Sequence, residues 1–136
     1  MKFILYKILA AALLGWLAYT VMSLDETPRL VIGIVLALSA LTMTIIARVQ
    51  IGKSFAVRLA AKGLVTTGIY AKIRHPLYLF VDLTFLGLII ILNFPFLVVI
   101  WILVVAGQSV RAWREEVFLT TAYGAEYESY MKQTWF

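Results

Sequence analysis

Cysteine is absent from this 136-residue chain. That removes disulfides, thiolate nucleophiles and Cys-ligated metals at once. Histidine occurs once, at His75, which makes a multi-histidine metal centre equally untenable, and no metal site is expected. Charge is scarce as well: Asp, Glu, Lys and Arg make up 14% of the residues, against about 25% in ordinary soluble domains. What replaces it is apolar. Hydrophobic residues make up 63% of the chain, where about 45–50% is usual. The chain therefore reads as an integral membrane protein, of a length that suits one small bundle with no separate soluble domain.

The net charge is +5, and its placement says more than its size. Of the twelve Lys and Arg residues, only Arg29 lies away from the N-terminal stretch, the 48–75 segment and the C-terminal segment; it neighbours Asp25 and Glu26. Basic residues gather on the cytoplasmic side of membrane proteins, so the charge reports topology. Dispersed basic residues flanking membrane segments argue against nucleic-acid binding.

Four apolar segments can be counted, and they predict an all-α bundle of about four transmembrane helices, over 3–24, 28–47, 76–92 and 94–108. The first has Lys2 and Lys7 near its start, like a signal peptide. Its apolar run is long and lacks a small-residue cleavage site, so it is expected to be retained. The first two segments meet the roughly 20 residues that a span needs. The last two are shorter and are joined by Asn93-Phe94-Pro95, a tight turn between antiparallel helices. Four spans put both termini on one side. That side is the cytoplasm, of the inner membrane in a bacterium or of the endoplasmic reticulum in a eukaryote.

Residues 48–75 read as a compact cytoplasmic loop, punctuated by Gly52, Gly63 and Gly68, in which Lys53, Arg58 and Lys62 serve as positive-inside charges. After Gln108 the chain turns polar: 111–122 is expected to be helical, Gly124 to break it, and 125–132 to resume. Tyr123, Tyr127, Tyr130 and Trp135 suit an interfacial segment. Ala11 with Gly15, and Gly33 with Ala37, have the small-xxx-small spacing that lets helices approach closely.

Few residues are left to carry chemistry. Pro76 suits the first position of a helix. The free amides there, beside Arg74 and His75, make a mouth that favours anions; a juxtamembrane basic cluster touching lipid headgroups reads equally well. Arg111, Arg114, Glu115 and Glu116 follow the fourth span, and Arg111 and Glu115 can pair along one helix face. The hairpin brings this charged run to the same membrane face as Pro76. Asp82 lies about two turns into the third helix, four residues from Tyr78. An acid at the bilayer centre costs roughly 3 kcal/mol, so it is expected to face the bundle or a wet pocket. Gln108 and Ser109 admit both readings.

The run Leu64-Val-Thr-Thr-Gly-Ile-Tyr70 with Arg74-His75-Pro76-Leu77-Tyr78 resembles the isoprenylcysteine carboxyl methyltransferase family and its phospholipid methyltransferase relatives. Arg111-Ala-Trp-Arg-Glu115-Glu116, followed by Tyr123-Gly124-Ala-Glu126-Tyr127-Glu128-Ser-Tyr130, resembles that family's paired glutamates and tyrosine motif. The likeness covers roughly residues 50–136. It implies an S-adenosylmethionine-dependent membrane methyltransferase acting on a lipophilic or lipidated substrate that arrives from the bilayer. On that implication the cofactor site comprises Tyr70, Arg74, His75, Pro76, Tyr78, Glu115, Glu116 and Tyr127. Arg74, His75 and the helix start would take the cofactor's carboxylate, a glutamate its ammonium and ribose hydroxyls, and Tyr78 and Tyr127 its adenine or sulfonium. His75, Asp82 and Arg111 are the candidates for catalysis. A carboxylate acceptor needs no base; an amine does.

The sequence also departs from the family's pattern. Phe80 stands where many relatives have a small residue, Ile69 replaces a common Pro, and the chain ends soon after the tyrosine motif. Two other readings stay open. One is an NADPH-dependent enzyme like the sterol reductases, which share an Arg-His-Pro-x-Tyr element. The other is a non-catalytic bundle of the same fold.

Overall fold

The structure is a computed structural model that describes residues 2–52 and 64–135. Lys53, Arg58, Lys62 and Gly63 therefore lie outside the described residues. Five α-helices follow one another, with no strand among the described residues: α1 (Lys2–Met22), α2 (Glu26–Ile51), α3 (Pro76–Leu92), α4 (Phe96–Tyr123) and α5 (Ala125–Gln133). A short 3-10 turn, Gly68–Ala71, precedes α3. Helices α1, α2 and α4 are long and apolar enough to cross a membrane, and α3 is a shorter apolar helix. Most of the outward surface of α1 and α2 is apolar, with Leu13, Trp16, Val35 and Leu38 all more than half exposed. Such a surface belongs in lipid. The protein is a membrane protein.

Helix pairing follows the small residues. Helix α3 lies along α2, and α1 packs mainly on α4. A Cβ added to Gly87 would come within 2.6 Å of the Ala37 backbone nitrogen, and one added to Gly33 within 3.1 Å of the Gly87 carbonyl oxygen. The α2–α3 backbones thus meet through Gly33, Ala37 and Gly87. On the other seam a Cβ at Gly15 would strike Val98 at 2.9 Å, between Ala11 and Ala18, each 3% exposed. Both small-residue pairs noted in the sequence therefore lie at helix seams. Between the seams, Met22, Leu86, Ile89, Ile90, Val98 and Trp101 form the main apolar core.

At the far end of α3 a cation closes the helix. Buried Arg29 donates from Nη1 to the carbonyls of Ile90 (2.9 Å) and Ile91 (2.7 Å). These are among the last carbonyls of α3, which lack intrahelical partners, and a cation there also complements the helix dipole. The isolated Arg29 of the sequence is thus a cap. Asn93 follows in the left-handed conformation (φ 56°), its N–H on the Ile89 carbonyl, and turns the chain into α4.

Helix α4 does not stop where the apolar run does. The fourth span was expected to end at 108, but the helix is continuous to Tyr123, about 42 Å long at 1.5 Å per residue. Gly107 is no obstacle, because a lone helical glycine costs only about 1 kcal/mol. Arg111, Glu115 and Glu116 consequently stand on the same rigid rod as the membrane-spanning part. The helix ends at Gly124 (φ 52°), and α5 folds back so that Tyr127 and Tyr130 pack on Leu119. Tyr130 donates to the Tyr70 carbonyl at 2.6 Å, and the Trp135 N–H to that of Lys72 at 2.9 Å. Of the four aromatics expected at an interface, Tyr127 and Tyr130 are interior, while Trp135 is 83% exposed.

Candidate functional site

The start of α3 is where the polar residues meet. His75 occupies the N-cap position and Pro76 opens the helix. Glu116, projecting from α4, accepts from Arg74 Nε at 3.0 Å and lies 3.1 Å from His75 Nε2. Arg74 is tied further, through Nη1, to the Met131 carbonyl and to Thr134 Oγ1, each at 3.2 Å. A second layer lies beside the first. Tyr78 donates its hydroxyl to Glu115 Oε1 at 2.7 Å, its ring stacks on His75 with centroids 5.8 Å apart, and Arg111 Nε reaches the same carboxylate oxygen at 3.4 Å. The two blocks that lie far apart in the sequence form one network.

A cavity of about 860 Å³ opens beside this network, between α2, the 3-10 turn, α3 and α4. Small-molecule sites occupy roughly 300–1,000 Å³. Among the described residues, four arginines (Arg48, Arg74, Arg111 and Arg114) line it, with Glu115 as the one acidic group. Aromatic surface comes from Tyr70, Tyr78 and Phe118. Gly68 (φ 63°) shapes the turn that presents Tyr70, since a Cβ there would fall on the Gln50 side chain, whose Oε1 accepts the Ile69 N–H at 2.8 Å. Cations, one carboxylate and flat aromatic faces make a set that fits an amphoteric cofactor of the S-adenosylmethionine kind.

The expected residues divide by position. Tyr70, Arg74, His75, Pro76, Tyr78, Arg111 and Glu115 all line this cavity. Glu116 lies behind it and engages Arg74 and His75, the two groups expected to receive a cofactor carboxylate. Tyr127 is 1% exposed inside the α4–α5 packing and supports the site from outside. Asp82 is buried one layer deeper, its Oδ1 accepting from Gln108 Nε2 at 3.0 Å and its backbone carbonyl from Trp101 Nε1 at 3.0 Å. It lines a second cavity of about 160 Å³ between α1, α3 and α4, with Lys7. Phe80 lines neither cavity, and Ile69 packs with Ala47, Ile51 and Tyr70.

Arg114, named in the sequence with the charged run after the fourth span but given no role, lines the larger cavity, and two residues not singled out for chemistry, Arg48 and Lys7, line the larger and the smaller cavity. Arg48 and Lys7 looked like topology charges, because only the folded arrangement brings them to the cavity walls. Their one legible signal is a basic residue one or two turns inside an apolar run.

Comparison with known proteins agrees with the motif reading. Residues 27–126 match the family model described as phospholipid methyltransferase. The chain belongs to that family. It is 37% identical over 93 residues to a protein-S-isoprenylcysteine O-methyltransferase of Schizosaccharomyces pombe, covering 64% of this chain and 39% of the yeast protein. The chain thus spans about two fifths of the length of that curated relative. No solved structure matches it.

Proposed function

We propose that this chain transfers a methyl group from S-adenosylmethionine to a lipophilic, membrane-borne acceptor, a carboxylate or an amine. One observation carries the reading: within the family-matched residues, the α3 start and the charged end of α4 converge on one large cavity beside membrane-spanning helices. The cofactor would supply an electrophilic methyl group on a sulfonium centre. Arg48, Arg111 and Arg114 would hold its carboxylate, Glu115 and Tyr78 its ammonium or hydroxyl groups, and the faces of Tyr70, Tyr78 and Phe118 its adenine and sulfonium.

Glu116 acts on the site through Arg74 and His75. It neutralises the guanidinium and fixes the imidazole edge, so that the α3 mouth is preorganised. His75 and Asp82 are the candidate proton acceptors for an amine substrate, and Arg111 positions the carboxylate of Glu115. The basic helix ends and both termini face the cytoplasm on the positive-inside rule, so a water-soluble cofactor enters from that side. The experiment is methyl transfer itself, with protein in nanodiscs, labelled S-adenosylmethionine and native lipid extract. Label is expected in one lipid class and lost in Glu115→Ala. A folded, cofactor-binding protein that labels no lipid from any extract would remove the enzymatic reading.

A further inference from the structure

Measured along α4, a span that ended at Gln108 would be too short. From Phe96, its first residue, to Gln108 the helix rises only about 18 Å at 1.5 Å per residue, while the hydrocarbon of a bilayer is about 30 Å thick. The outward face of the helix does not change at Gln108. Phe96, Val99, Leu103, Val110 and Val117 recur at helical spacing, which puts them on one face, and all five are exposed. Trp113 and Phe118 flank that face and are exposed as well. Arg114 interrupts the stripe and lines the larger cavity. From Phe96 to Phe118 the helix rises about 33 Å; at the usual tilt of ~20° it covers about 31 Å of the membrane normal, close to the hydrocarbon thickness. Beyond Phe118 the exposed residues turn polar, with Thr121, Glu126 and Glu128.

The other helices agree at the same level. Lys7 shares the walls of the smaller cavity with Gln108 and Ser109. Leu5 and Tyr6 lie one and two residues nearer the start of antiparallel α1, level with the first turn of the α4 extension, and both are more than half exposed. On α2, Arg48 lines the larger cavity with Arg111 and Glu115, yet Val49 beside it is also more than half exposed. Helix α3 rises only about 24 Å from Leu92 to Pro76, so its polar mouth stops short of a full hydrocarbon thickness. The Arg74–His75–Glu116 network is thus ringed on α1, α2 and α4 by outward apolar side chains.

We infer that the outward face of the α4 extension is a lipid-contact surface as far as Phe118, its partner being the acyl-chain region of the cytoplasmic leaflet. The occupant follows from continuity: the stripe is one with the apolar face of the membrane-spanning half of α4, and Leu5, Tyr6 and Val49 extend the lipid-facing surfaces of α1 and α2 to the same level. The polar network then lies below the headgroups, although the chain from Gln108 onward reads as cytoplasmic by hydropathy. Trp113 falls close to the boundary between chains and headgroups, where tryptophan is enriched. This inference stands on the fold and holds whether or not the chain is a methyltransferase.

The chain has no cysteine, so single cysteines carrying a nitroxide test the surface directly. Leu103→Cys, Val110→Cys, Val117→Cys and Gln133→Cys are labelled in the whole chain, in phosphatidylcholine nanodiscs, and their collisions with oxygen and with a neutral, water-soluble nickel chelate are measured. Oxygen concentrates in hydrocarbon and the chelate in water. Oxygen collisions are expected to exceed those of the chelate at Leu103, Val110 and Val117, with the excess shrinking toward Val117, and the order is expected to reverse at Gln133. A Val117 label that collides with the chelate as the Gln133 label does overturns the inference, even where Val110 meets lipid. Exclusion of both reagents at Val110 and Val117 overturns it too, because the face is then covered by protein, such as a second copy of the chain. Each labelled protein is melted beside the unaltered one; should Val117→Cys melt early, Trp113→Cys reports on the extension in its place.

Discussion

Glu116 shows how one side chain can serve a site from behind it. Its carboxylate is 13% exposed and touches both Arg74 Nε and His75 Nε2, so it holds two residues that border the cavity without lining the cavity itself. Removing one partner of a buried pair leaves an uncompensated charge and costs about 3–5 kcal/mol. Glu116→Ala is therefore expected to lower unfolding stability in detergent by about 3 kcal/mol and to weaken S-adenosylhomocysteine binding, read by thermal melting and calorimetry. Unchanged melting would mean that the pair does not organise the α3 mouth. His75, Arg74 and the two glutamates were legible in the sequence as a set, because so few polar residues punctuate the oil. Their division of labour was not. Adjacent positions on a helix point about 100° apart, and only the packed orientation of α4 decides which glutamate faces the cavity.

At the scale of elements, the α2–α3 seam and the length of α4 position everything else. The seam lets two backbones meet at Gly87, where the neighbour is main chain and cannot move aside as a side-chain tip can. Gly87→Leu should force the helices apart and cost at least about 1–3 kcal/mol, the usual penalty of overpacking. The measurement is the melting temperature in detergent, with Gly107→Leu as control, since a Cβ at Gly107 meets nothing within 4 Å. Equal effects at the two positions would refute the seam. Helix starts and the hairpin were readable from Pro76, Asn93 and Pro95, each a local backbone constraint. The end of α4 at Gly124 was readable too, but its continuity through Gln108 was not, because hydropathy marks where the apolar run stops and the hydrogen-bonded helix runs straight on. The role of Arg29 was hidden for a related reason. Its partners, the carbonyls of Ile90 and Ile91, lie more than sixty residues away.

For the whole molecule, the antiparallel order of the helices sets one polar end against another. Arg29 at the start of α2 meets the end of α3, while the end of α2, the start of α3 and the charged end of α4 meet around the large cavity. The absence of native cysteine gives a clean background for mapping sides. Ser23→Cys, in the α1–α2 turn, and Gln133→Cys, at the end of α5, are expected to react with an impermeant maleimide from opposite faces of sealed vesicles. Gln133→Cys should react from the cytoplasmic face. Labelling of both from one face would contradict the arrangement. If the large cavity is a cofactor site, calorimetric titration of the protein in lipid nanodiscs with S-adenosylhomocysteine gives one saturable site per chain. Tyr78→Phe is expected to weaken that binding about tenfold through loss of the 2.7 Å hydrogen bond to Glu115; absence of binding heat in both lipid and detergent would mean that the cavity holds no such cofactor.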